Sequence, residues 1–523
     1  MRRPMTTPRL PSPRRAALLL GLCLAAPLAG CKGKGGSALA KAEAKDNPFA
    51  NVPAPAVDNP RLHPTLADTP VYDRPSPEGK KIGELRIGSS VARSREPYGT
   101  EECKGGWYAV RPRGFVCVGP GASLDPGMEA RGIPARPDLA KPLPYRYARA
   151  RTENVPLYAR APSAAEMAAS EPDLRKILGR AEDKDALGAA ANDVPLDPRG
   201  VPTGPAVLLP GGEGIADGKR SASAFFQFGM DALPPAFAPA ADSVKIGGLK
   251  KGSGVAVAGS LGVDAGTAAR RFGVTADGRL VPIDRMKPIL GSTWHGIDLD
   301  KVGLPVAFVH KLGVHGYSLA KGKATEHEDE VERRAAIPLS GKFRTVEGVR
   351  YEETRDGTWM RSKDIVVVVK RHKFPDFAKG GQKWLDVSVA TQTLTAYEGT
   401  KPIYATLITT GRDQLKDPAT SASTARGTFK VLAKHVTRTL DPREVQGAFD
   451  VADAPWVMEF EPGHALTGMY WGEGVGEAST FHAVGLTPID ARRLWTWSDP
   501  QLPEGWHAVY GGGDDSTIVF VRP

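Results

Sequence analysis

Apolar and polar positions alternate with a period of two along most of the chain, in strand-length runs separated by Gly and Pro. Between Thr69 and Val118 the runs are Val71-Tyr72, Ile82 to Leu85, Gly88 to Val91, Gly106 to Val110 and Gly114 to Val116. A second set begins at Val155 to Tyr158 and resumes at Ser243 to Ile246, Val255 to Val257 and Leu280 to Ile283. An Ala- and Glu-rich stretch, Ser163 to Ala190, interrupts it and predicts a helix, and Pro202 to Gly218 predicts a loose loop. A third set comprises Val314 to Leu319, Ala335 to Leu339, Val349 to Glu353, Gly357 to Met360 and Ile365 to Val369. In the last part, Lys383 to Val389 and Thr393 to Tyr397 alternate on both sides of a short turn, which predicts a β-hairpin. Further apolar runs follow at Ala405 to Gly411, Thr424 to Val431, Ala454 to Val457, Ala465 to Trp471 and Leu486 to Leu494. The expected fold class is mainly β: several small β-barrels and then one larger β domain.

Composition sharpens this division. A chain of 523 residues suggests roughly three or four domains. Gly and Pro, 59 and 46 residues, favour many turns between short strands and, with the charged content, exclude a collagen, a coiled coil and a multi-span membrane protein. We place the folded modules at 67–119, 146–290, 304–370 and 380–523. Residues 31–66, rich in Ala, Pro and Lys without apolar periodicity, read as a flexible tether.

Residues 1–30 have the order of an export signal. Arg2, Arg3, Arg9, Arg14 and Arg15 precede an apolar run from Ala16 to Ala26, which is too short to span a membrane, and small residues follow. Leu28-Ala29-Gly30-Cys31 resembles a bacterial lipobox, which implies diacylglycerol on the Cys31 sulfur and cleavage before it. Lys32 follows, where Asp would favour inner-membrane retention; an outer-membrane anchor facing the periplasm is the expectation. Without the five arginines of the signal the formal charge falls from +10 to +5. So modest an excess argues against nucleic acid and fits weak attraction to anionic wall polymer. The run Lys370-Arg371-His372-Lys373 reads as a solvated linker. Cys23 leaves with the signal and Cys31 is acylated, so Cys103 and Cys117 remain, in a compartment that favours a disulfide. Free thiols or a metal site are the alternatives; no second ligand pair has zinc spacing.

Two resemblances carry the functional reading. The order of strands over 67–119, with Gly106-Trp107-Tyr108 followed by Gly114-Phe115-Val116, resembles bacterial SH3-like domains, and 146–290 and 304–370 are looser candidates. From about Gln382 to the end, the strand runs with Gly468-Met469-Tyr470-Trp471 and Leu486-Thr487-Pro488 resemble the L,D-transpeptidase catalytic domain. That resemblance implies a β-sandwich with one short helix, here Pro488 to Leu494, in which Asp490 sits near a start that favours negative charge. It also implies acyl transfer between peptidoglycan peptides through a cysteine thioester, with a histidine base and an oxyanion held by backbone N–H groups.

Here the pattern fails. The family reads Ser-His-Gly-Cys-Val-Asn before Leu, a small polar residue and Pro. This chain reads Thr480-Phe481-His482-Ala483-Val484-Gly485. Ala483 stands for the nucleophile, Phe481 for the base, His482 for the glycine and Gly485 for the asparagine, and Thr467 matches a further histidine. Losing a nucleophile and base that act together costs on the order of 10⁶ in kcat. Ser479, Thr480, His482 and His464 could supply a relocated hydroxyl–histidine pair, although neighbours on a strand point to opposite faces. Gly472 to Gly476 is glycine-rich but lacks the strand–helix context of a phosphate loop. The expected function is a periplasmic lipoprotein that binds or remodels peptidoglycan without turnover, with no cofactor or metal and with other wall enzymes as further partners. The alternatives are an active transpeptidase or hydrolase using relocated residues, and an interaction protein working through its SH3-like modules.

Overall fold

The strands follow the alternation and form five sheets among the described residues, one of which joins strands far apart in sequence. The computed structural model describes residues 47–128, 136–182, 244–264, 269–440, 449–472 and 474–523. The expected signal, Cys31, most of the tether, the 202–218 loop and the end of the 163–190 helix lie outside the described residues. Asn51–Pro523 forms one compact unit, mainly β.

In the C-terminal part, Lys383–Ser388 and Thr393–Glu398 pair antiparallel from Lys383↔Glu398 to Ser388↔Thr393. The pleat sends Leu385, Val387, Leu394 and Ala396 into the core and Asp386, Thr393 and Thr395 to the other face. Lys401–Leu407, Ile518–Arg522 and Gly427–Lys430 extend this sheet, and Ile297–Asp298 adds a sixth strand from outside the domain. A second sheet faces it, containing Ala433–Arg438, Ala454–Glu461, His464–Gly468 and Val484–Leu486. Trp456, Met458, Leu466 and Val484 from the second sheet pack with Leu385, Val387, Val519 and Val521 from the first. Burying such side chains stabilises by about 1.5–3 kcal/mol each, so this interior is the main source of the domain's stability.

The helix Pro488–Trp497 lies over that core through Ala491, Leu494 and Trp495. Thr487 caps it by accepting from the Asp490 N–H, and Pro488 occupies the first turn, where its missing N–H costs nothing. The helix runs about one turn beyond the expected Leu494.

The second sheet does not stop at the domain. Ala508–Tyr510 pairs with Lys81–Leu85 through Gly83↔Val509 and Glu84↔Ala508, and Thr69–Tyr72, Phe115–Cys117 and Trp107–Ala109 continue beyond. Gly83 is required at this junction, because a Cβ there would lie 2.2 Å from the Trp506 ring. Cys103 and Cys117 are joined by a disulfide within the same module. A seven-stranded sheet spans Arg146–Ala150 to Met286–Ile289, and another spans Val306–Val309 to Ile365–Val368. Among the described residues no sheet closes into a barrel; the first module instead pairs a strand edge with the C-terminal domain.

Two further expectations are corrected. The stretch expected as tether contains the strand Arg61–Pro64, which pairs with Val91–Ala92 and Ala122–Ser123. The expected single helix begins as read, with Ser163 and Glu166 forming a capping box, but divides into Ala164–Ser170 and Leu174–Glu182. Pro172 explains the break: it has no N–H to donate and forces Glu171 out of the helical region.

Candidate functional site

The degenerate motif lies at one end of the second sheet. Val484–Leu486 runs parallel to His464–Gly468, with Thr467 opposite Gly485. On the other side Thr409 exchanges two backbone hydrogen bonds with Gly485, at 2.9 and 2.8 Å. Gly485 is thus held between two neighbours. A Cβ built on it would sit 2.0 Å from Met469 Sδ and 2.6 Å from Thr409 Cγ2. The place that the family pattern gives to asparagine has room for hydrogen only.

Ala483 is 6% exposed and offers a methyl group where the pattern has its thiol. Thr480 Oγ1 donates to the Ala483 carbonyl at 2.5 Å, so its proton points at a group that can accept a hydrogen bond but cannot take the proton away. Ser479 is exposed, and its Oγ lies 2.9 Å from Thr409 Oγ1. Neither hydroxyl is hydrogen-bonded to a histidine.

Both histidines are nevertheless here. His482 Nδ1 is 3.0 Å from the Ser423 carbonyl, which fixes the proton on Nδ1, and Thr424 Oγ1 donates to the His482 carbonyl at 3.1 Å. The His464 ring lies 4.8 Å from the His482 ring, centre to centre, and Phe481 packs edge-on to His482 at 4.3 Å. Burial pushes the His464 pKa down, and a charge on His482 would push it further the same way. Thr467 is fully buried and its hydroxyl donates to the Pro455 carbonyl at 3.3 Å. It is a strand residue under the site, not a participant in it.

Behind the strand, Asp490 is fully buried at the helix start. Its carboxylate accepts from Thr406 Oγ1 at 2.5 Å, Tyr404 Oη at 2.6 Å and the Gly296 N–H at 3.1 Å. Burial raises its pKa against those donors. The role is to tie the helix to the first sheet and to the segment entering from residue 296.

The described residues of the glycine-rich 472–476 stretch form a loop: Val475 is buried in a cluster with Leu407 and Phe308, and the Gly476 N–H donates to the Ile408 carbonyl. Among the described residues no three His, Cys, Asp or Glu side chains are placed to hold a metal. Thr467, Thr480, Phe481, His482, Ala483 and Gly485 are therefore brought together, with His464 beside them. Sequence reasoning missed the roles of Thr409, Ser423 and Thr424, which reach the site from segments distant in sequence, and of Met469, which directly follows the His464–Gly468 strand. Gln392, also unforeseen, fixes the neighbouring loop by bonding Thr410 through both ends of its amide, at 2.6 and 2.8 Å.

No family model matches the chain, and no curated protein matches it in sequence. Among solved structures, it is similar to an L,D-transpeptidase from Stackebrandtia nassauensis, at 20% identity over 27% of this chain and 56% of that one, with a TM-score of 0.20. An L,D-transpeptidase from Xylanimonas cellulosilytica is similar at 17% identity over 27% of this chain and 61% of that one, again with a TM-score of 0.20. The Mycobacterium smegmatis L,D-transpeptidase matches at 17% identity over 41% of this chain and all of that one, with a TM-score of 0.21. The chain thus spans less than two thirds of the first two relatives.

Proposed function

We propose that the chain is an exported, lipid-anchored protein of the cell envelope that binds peptidoglycan and has lost acyl transfer. The observation that carries this reading is the state of the Thr480–Gly485 segment. Its strand, the following helix and the buried Asp490 anchor are in place, while Ala483 provides no nucleophile and Gly485 is sealed by Met469. The order of motifs from Gln382 onward supports peptidoglycan as the ligand, and the segment from Arg2 to Cys31 supports export and acylation. SH3-like modules in front of the domain fit additional contacts with wall polymer or wall enzymes.

Relocated catalysis finds no support in the geometry. A general base has to lie within hydrogen-bond reach of the proton it removes. The Thr480 proton faces the Ala483 carbonyl and the Ser479 hydroxyl pairs with Thr409, so neither hydroxyl is directed at a histidine. The test is a turnover assay with a disaccharide-tetrapeptide donor and a labelled acceptor amine. No labelled product above the buffer control is expected; product that disappears on His482→Ala would overturn the reading.

A further inference from the structure

The basic run Lys370 to Lys373, expected to be a solvated linker, forms one wall of a groove of about 570 Å³. The opposite side is the outer face of the C-terminal sheet, where Asp386, Thr393, Thr395 and Arg522 emerge. Asp386 is 4% exposed and accepts from Arg371 Nη1 at 2.6 Å and from Arg522 Nε at 2.7 Å, one guanidinium on each oxygen. A buried carboxylate used in this way fixes two forks side by side and leaves each with N–H groups to spare.

Charge on the lining is one-sided. Lys370, Arg371, Lys373 and Arg522 face one side-chain carboxylate, Asp386, whose oxygens are already engaged. Arg371 is further held against Trp384 and Phe520, with its guanidinium 5.7 and 5.6 Å from their ring centres. Lys370 and Lys373 are exposed at the rim. Among the described residues the strand Ile365–Val368 is the last of its sheet and pairs with Val306–Val309 alone, and its end at Val367 and Val368 lines the groove, which leaves a short outer backbone edge there for an added strand.

We propose that this groove binds an extended peptide that carries carboxylates. The paired guanidinium groups and the lysines take the carboxylates, and the strand end at Val367 and Val368 takes the peptide backbone. The groove's chemistry requires only an acidic extended peptide; that the natural ligand is a wall stem peptide rests on the function proposed above.

The test uses the full-length protein and two soluble probes, penta-glutamate and penta-glutamine, in calorimetric titrations. Saturable binding of penta-glutamate is expected, at least tenfold weaker for penta-glutamine and for the Lys370→Glu/Lys373→Glu variant, whose exposed positions leave the fold alone. Absence of saturable binding, or equal affinity for the two probes or the two proteins, would overturn the groove assignment. Sedimentation with purified sacculi separates this from the wall-binding reading. Wild type and variant pelleting equally counts against the groove only, whereas wild type remaining in the supernatant counts against wall binding and leaves the groove to the titrations.

Discussion

Met469 stands where a side chain on Gly485 would have to go: its sulfur is 2.0 Å from the position of a Cβ there. The space beside the motif is therefore filled from within, and Ala483 offers no nucleophile there. Substituting one residue cannot reopen it, because Thr409 Cγ2 closes the same space from the neighbouring backbone.

The first prediction follows directly. Gly485→Asn forces Met469 and Thr409 apart, and overpacking of this kind costs about 1–3 kcal/mol. Urea unfolding of the variant is expected to show a lower midpoint than wild type. An unchanged midpoint would mean that the site has slack the contacts do not show.

Restoring the thiol alone should not restore chemistry. Ala483→Cys adds a thiol at a motif whose base position holds Phe481, which cannot accept its proton, and whose neighbouring space at Gly485 is filled by Met469 and Thr409. No turnover of a tetrapeptide donor is expected from this variant. Measurable product would show that a base already serves the position.

Lys434 yields a prediction about pH. It is fully buried, donates to the Ser498 carbonyl at 2.7 Å and lies 4.5 Å from the centre of the Trp495 ring. Burial, reinforced by Lys383 and opposed by Asp499, pushes its pKa down to about 7. The unfolded chain then binds a proton that the folded one does not between pH 7 and about 10.4, so this residue adds stability as pH rises through that window. Lys434→Met is expected to be more stable than wild type at pH 7, by an amount that shrinks towards pH 10. A constant difference across that range would contradict the assignment.

Arg86 and Asp453 join the first module to the C-terminal domain by a buried ion pair at 2.8 Å, with Thr437 Oγ1 also accepting from Arg86 at 2.7 Å. Removing one partner of such a pair leaves the other charge buried and costs about 3–5 kcal/mol. Asp453→Ala should therefore destabilise strongly, and Arg86→Met/Asp453→Leu should recover much of the loss. A double variant as unstable as the sum of its single changes would show that the two residues act independently.

What the sequence disclosed, and what it concealed, divides along local and non-local contacts. The hairpin of Lys383–Ser388 with Thr393–Glu398 was legible because its alternation and its turn are contiguous. The helix at Pro488 followed from the family resemblance, and the structure adds the local reasons, its Thr487 cap and its proline. Nothing near Lys81–Leu85 indicates pairing with Ala508–Tyr510, since either strand would look the same with any partner. Asp490 was placed at its helix start by charge alone, while its donors Tyr404, Thr406 and Gly296 come from two other segments. Missing polar residues could be read from one motif; the methionine that fills their space could not, because Met469 looks like any apolar strand residue until the fold brings it over Gly485.

The most direct test of the account is the fate of purified sacculi incubated with the full-length protein. After sedimentation, the pellet is assayed for the protein, and its muropeptides are separated and identified by mass. The account predicts protein in the pellet and a muropeptide profile identical to that of untreated sacculi. New direct cross-links between diaminopimelate residues, or the loss of existing ones, would contradict it.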